Sequence, residues 1–94
     1  MAAARSGQKT VTTAGTEVQL GTLQVNAPIM VKAKVANTGV IYLGNDGANA
    51  VSSTTGLELS AGDAVIFEWV GNLGEIWVDS SVNGEGVSWI LLSW

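Results

Sequence analysis

Cysteine and histidine are both absent from this 94-residue chain. Without cysteine, no disulfide can brace a small fold and no thiolate can hold a metal; the absence also fits folding in a cytoplasm. Without histidine, the commonest general base and imidazole ligand are missing, so the frequent Ser and Thr hydroxyls have no such group to activate them. Basic residues are scarce. Arg5, Lys9, Lys32 and Lys34 stand against eight acids, for a formal charge of −4. They form two small groups with no aromatics between them, so binding of DNA or RNA phosphate, which needs clustered Lys and Arg, is not expected. No apolar run approaches the roughly 18–20 residues of a membrane-spanning helix. Residues 1–7 also lack the hydrophobic segment of a secretory signal, so synthesis and folding in the cytosol are expected.

Charge of either sign is low. Charged residues are 13% and hydrophobic residues 47% of the chain, where a typical soluble domain is about one-quarter charged. A chain of this length forms one domain that buries only about 60–65% of its unfolded surface. With so little charge to dress that surface, oligomerisation or docking is the expected resolution.

What is present is a series of short apolar runs cut by turn residues. Residues 1–14 are rich in Ala, Ser, Thr and Gly, with Val11 the single branched apolar residue. They read as an extended N-terminal arm laid on a neighbouring subunit, with Val11 and Thr13 as its contacts. From residue 15 a single β-domain is expected to run to residue 94. Val18, Leu20, Leu23 and Val25 form a first run, with Gly21 as a bulge or bend. The only proline, Pro28, marks a strand entry. Ile29, Val31, Ala33 and Val35 alternate with Met30, Lys32 and Lys34, the pattern of a half-buried strand.

Further strands are expected at residues 40–43, 57–59, 64–70, 75–79 and 87–94. They are separated by Asn-Thr-Gly, Asn-Asp-Gly and Ser-Ala-Gly-Asp turns, the last with Gly62 free to take positive φ. Seven or eight short strands without helical periodicity predict an all-β chain, a small antiparallel β-sandwich or jelly-roll-like barrel.

The acids offer no catalytic pair at a distinctive spacing, and a domain this small has little room for a cleft, so glycoside hydrolysis is not expected. Asn45-Asp46-Gly47 lacks the alternating ligands of a calcium loop. Asp63, Asp79 and Glu85 sit at turns, where such side chains commonly cap backbone. No metal, cofactor or enzymatic activity is expected.

The four tryptophans are more informative. Trp69 extends the row Val65-Phe67-Trp69 and is expected in the core. Trp77, on the strand face of Glu75 and Asp79, is expected outside. The three together suit stacking on a sugar ring with carboxylates accepting hydroxyl hydrogen bonds, the alternative reading as a carbohydrate-binding or host-attachment module. The terminal run is apolar on both faces: Val87, Trp89 and Leu91 on one, Ile90, Leu92 and Trp94 on the other. A strand of this kind is covered on each side. Trp89, Leu91, Leu92 and Trp94 are therefore expected at contacts with other subunits.

In its strand-and-turn phrasing the chain resembles the short β-sandwich accessory virion proteins of tailed bacteriophages. The resemblance is carried by Asn37-Thr-Gly-Val-Ile-Tyr-Leu-Gly44, Gly56-Leu-Glu-Leu-Ser-Ala-Gly-Asp63, Asn72-Leu-Gly-Glu-Ile-Trp-Val-Asp79 and Val82-Asn-Gly-Glu-Gly-Val-Ser-Trp89. It covers roughly residues 9–94. It implies a virion structural protein, such as a capsid decoration or cement protein or a tail or head-fibre component. Its partners would be the major capsid protein or another virion protein, and its own copies as a homo-oligomer, often a trimer. It implies no catalytic residues.

Overall fold

The computed structural model describes residues 5–45 and 51–93. Within them lie eight strands: β1 (Ser6–Val11), β2 (Val18–Gln19), β3 (Gln24–Ala33), β4 (Ile41–Gly44), β5 (Leu57–Leu59), β6 (Ala64–Asn72), β7 (Trp77–Ser80) and β8 (Glu85–Leu91). One 3₁₀ turn, Leu73–Glu75, links β6 to β7. Period-two patterning places their side chains. In β3, Val25, Ala27, Ile29, Val31 and Ala33 are buried while Met30 and Lys32 lie on the opposite face. A pleated strand with one apolar side needs that arrangement.

The strands form two antiparallel four-stranded sheets, ordered β1-β8-β3-β6 and β2-β7-β4-β5. The pairings β1 with β8, β2 with β7, β3 with β6 and β4 with β5 describe one long ribbon folded at the β4–β5 connection. The ribbon is then rolled so that consecutive strands fall mostly in opposite sheets. Two packed sheets of this order make an all-β jelly-roll sandwich. Ile29, Val31, Val87, Leu91 and Val11 of the first sheet meet Ile41, Leu43 and Val78 of the second in one buried cluster. Burying each such side chain contributes about 1.5–3 kcal/mol against exposure.

Several expectations change in the folded chain. Residues 6–11 are not a free arm. They pair in register with β8, from Ser6 opposite Ile90 to Val11 opposite Glu85, and Val11 is fully buried in the chain's own core. Gly21 lies between β2 and β3, which belong to different sheets, so it serves a crossing and not a bulge. Val35 lies beyond the end of β3 and is 74% exposed. Glu75 closes the 3₁₀ turn instead of opening β7.

Trp69 is the largest departure, at 65% exposure. Ala27 pairs with Val70 and Ile29 with Phe67, so two β6 residues, Glu68 and Trp69, oppose the single residue Pro28. This β-bulge resets the alternation between the inward Phe67 and Val70 and puts both Glu68 and Trp69 outside. Pro28 itself lies inside β3, just past the last β3–β8 pair, Ile29 with Leu91. At the end of that ladder its missing N–H does little harm.

The Ser60–Asp63 turn forms as expected. Asp63 N–H donates to Ser60 carbonyl at 2.9 Å, Ser60 N–H donates to the Asp63 carboxylate at 3.0 Å, and Gly62 has φ +84°.

Candidate functional site

The two outer sheet faces differ in what covers them. Over the β2-β7-β4-β5 sheet lie two of the chain's own segments. Val51 is buried against the outward side of Gly44, and Gly56 packs on both Val51 and Tyr42. The turn at residues 13–16, closed by Thr16 N–H on Thr13 carbonyl at 3.1 Å, reaches the same face, where Gly15 N–H donates to Asp79 at 3.0 Å.

Over the β1-β8-β3-β6 sheet no described segment lies across the centre, and the registers define what is exposed there. Ser6, Ile90, Met30 and Ile66 form one row across the four strands. Two residues along, Gln8, Ser88, Lys32 and Ala64 form the next. On the other side Leu92 donates its N–H to Pro28 carbonyl at 3.0 Å, which aligns Leu92, Pro28 and the Glu68–Trp69 bulge as a third row. Ile66 is 53% and Leu92 47% exposed beside Trp69. Within the three rows Ile66, Met30, Ile90, Leu92 and Trp69 form an apolar stripe, interrupted by Lys32 and Ser88 in one outer row and by Glu68 in the other. A shallow depression opens between Ser6, Gln8, Met30, Lys32, Ser88 and Ile90.

Against this face, the residues singled out from the sequence fall into three groups. Leu92 lies in the stripe. Val11, Trp89 and Leu91 are core residues, because β8 presents its Val87-Trp89-Leu91 side to the opposite sheet. The Trp89 indole lies across Gly7 of β1, where a Cβ would come within 2.7 Å of the ring. Thr13 is exposed in the 13–16 turn. Trp94 lies outside the described residues. Met30, Ile66 and Ile90 were legible as outward residues from alternation alone, whereas the exposure of Trp69 depends on the bulge.

Trp77 points outward from β7 between Gln19 and Gly44, half-buried. Its two carboxylate neighbours are taken up by backbone. Glu75 accepts hydrogen bonds from Gly71 and Asn72 N–H at 3.0 and 3.1 Å, half of a capping box in which Asn72 accepts from Gly74 N–H at 2.7 Å. Asp79 is buried and accepts from Gly15 and Ser80 N–H.

Glu85 is used in the same way. It accepts from Thr38 N–H at 2.6 Å, Gly39 N–H at 2.8 Å and the Thr38 hydroxyl at 2.9 Å. The two backbone donors, foremost that of Thr38, hold its carboxyl below the ordinary glutamate range. Beside it the buried Asn37 side chain donates to Gly86 carbonyl at 2.9 Å, fastening the 34–40 loop to the start of β8. Asp63, Asp79 and Glu85 each serve separate turns and do not meet. Among the described residues no three His, Cys, Asp or Glu side chains converge on a common point, and no helix is long and apolar enough to cross a membrane.

Comparison with family models, curated proteins and solved structures finds no match to this chain.

Proposed function

We propose that the chain is a structural subunit of a larger protein assembly, of the kind that decorates a tailed-bacteriophage virion, and that it docks through the outer face of the β1-β8-β3-β6 sheet. The uncovered stripe of Ile66, Trp69, Leu92, Met30 and Ile90 carries this reading. It is the surface whose burial repays association, at about 2.5 kcal/mol per 100 Å² of apolar contact before association costs. The low charge of the whole chain supports the same reading, and the strand-and-turn resemblance supplies the virion setting. The mechanism is passive. Apolar area is added between neighbours, the major capsid protein and further copies of the chain, and repetition over a lattice turns weak single contacts into stable attachment.

The test uses phage heads purified from a deletion mutant of the encoding phage, with added protein followed by co-sedimentation. Wild type is expected to be retained and Ile66→Asp to be lost, since an exposed position tolerates the charge in the free protein but not in a buried contact. Failure of wild type to bind heads, or equal retention of Ile66→Asp, sinks the reading.

A further inference from the structure

We infer that the occupant of this face is a second copy of the chain, packed sheet against sheet about a two-fold axis running along the Ser6-Ile90-Met30-Ile66 row. The inference rests on the docking reading and names the partner for that surface. A two-fold axis in the plane of the face turns one copy over, leaves each strand above its counterpart and exchanges the two flanking rows. The Ser88-Lys32-Ala64 row of one copy then faces the Leu92-Pro28-Glu68/Trp69 row of the other.

The facing residues match in size and in charge. Trp69, the bulkiest exposed side chain of the face, comes over Ala64, the smallest β6 residue in the three rows. Leu92 comes over Ser88, on the floor of the depression. Lys32 comes over Pro28, one strand spacing, about 4.8 Å, from Glu68. Symmetry makes each match twice. The central Ile90, Met30 and Ile66 meet their own copies on the axis, an apolar row on an apolar row. Two twisted sheets packed in this way keep their strands within about 30° of alignment, the usual sandwich geometry.

Charge selects this axis over the other in-plane choice. An axis parallel to the strands would keep the rows level and bring Lys32 and Lys34 of both copies together. That arrangement sets like charges against each other across an apolar contact, at a cost of several kcal/mol. The stripe spans about 19 Å across four strands and about 13–20 Å along them. The pair therefore buries on the order of 500–800 Å² in total, below the standard size of a stable interface and in the range of a weak, transient one. Association in the high micromolar range is expected.

The test is sedimentation equilibrium of the full chain over a concentration series, for wild type, Lys32→Glu, Glu68→Lys and the double charge exchange. Near-ultraviolet circular dichroism confirms that each variant is folded. Wild type is expected to be a reversible dimer. Each single change should weaken it about tenfold, because the axis repeats the contact, and the double exchange should recover most of the loss. Trp69→Ala should weaken it further.

A wild type that stays monomeric to about 1 mM, a closed trimer, or single changes that the double exchange fails to rescue would each overturn the two-fold pairing. The head-binding assay separates the two conclusions. A monomer whose retention on heads still depends on Ile66 overturns self-pairing and leaves the docking reading standing. A charge-rescued dimer that no head retains keeps docking through this face and its self-pairing, and overturns the virion setting.

Discussion

Glycines and carboxylates at single positions decide much of this fold. Gly86 lies against the Lys9 carbonyl and within 2.9 Å of Thr10 Cα where a Cβ would stand, so the close approach of β1 to β8 depends on glycine there. Glu85 illustrates a pH-dependent contribution. Its carboxyl is held below the ordinary value by the Thr38 and Gly39 donors. The stability it supplies is full above the unfolded-chain value near about 4.3 and is lost as pH falls through the lower folded value. Glu85→Gln should therefore lower the melting temperature at pH 7, and the gap to wild type should narrow as pH drops below about 4. A gap that is constant from pH 7 to pH 3 would show that the carboxylate charge does not matter. In the sequence Glu85 reads only as a turn acid, because its partners lie 46 and 47 residues away.

Elements explain why two tryptophans on apolar rows have opposite fates. Trp89 keeps the alternation of β8 and is 9% exposed, whereas Trp69 follows the β6 bulge and faces out. Trp89→Ala should cost about 3–5 kcal/mol in urea unfolding, as large-to-small changes in cores do. Trp69→Ala, measured in dilute protein, should stay within about 0.5 kcal/mol of wild type. Equal losses at the two positions would contradict the bulge. Nothing local in Ala64–Asn72 announces that bulge. It arises where β6 must match β3 on both sides of Pro28, and a register is a property of two strands.

The whole molecule is a rolled ribbon, and its ends meet when β1 pairs with β8. Removing residues 1–11 would take away the buried Val11, uncover Trp89 and leave β8 as an edge. A loss of about 3 kcal/mol or more of unfolding free energy is expected. An unchanged urea midpoint would return these residues to the status of an arm. The all-β class, the strand near residues 29–33, the turn at 60–63 and the low charge are determined by the sequence alone, because period-two patterning, turn chemistry and composition act over a few residues. Tertiary structure decided the rest. The engagement of Glu75, Asp79 and Glu85 by distant or turn backbone, the burial of Val11 and Trp89, and the exposure of Trp69 all follow from which strands become neighbours. So does the apolar stripe, since Met30, Ile66 and the Ile90–Leu92 pair are far apart in the chain and become one surface only through the β1-β8-β3-β6 order.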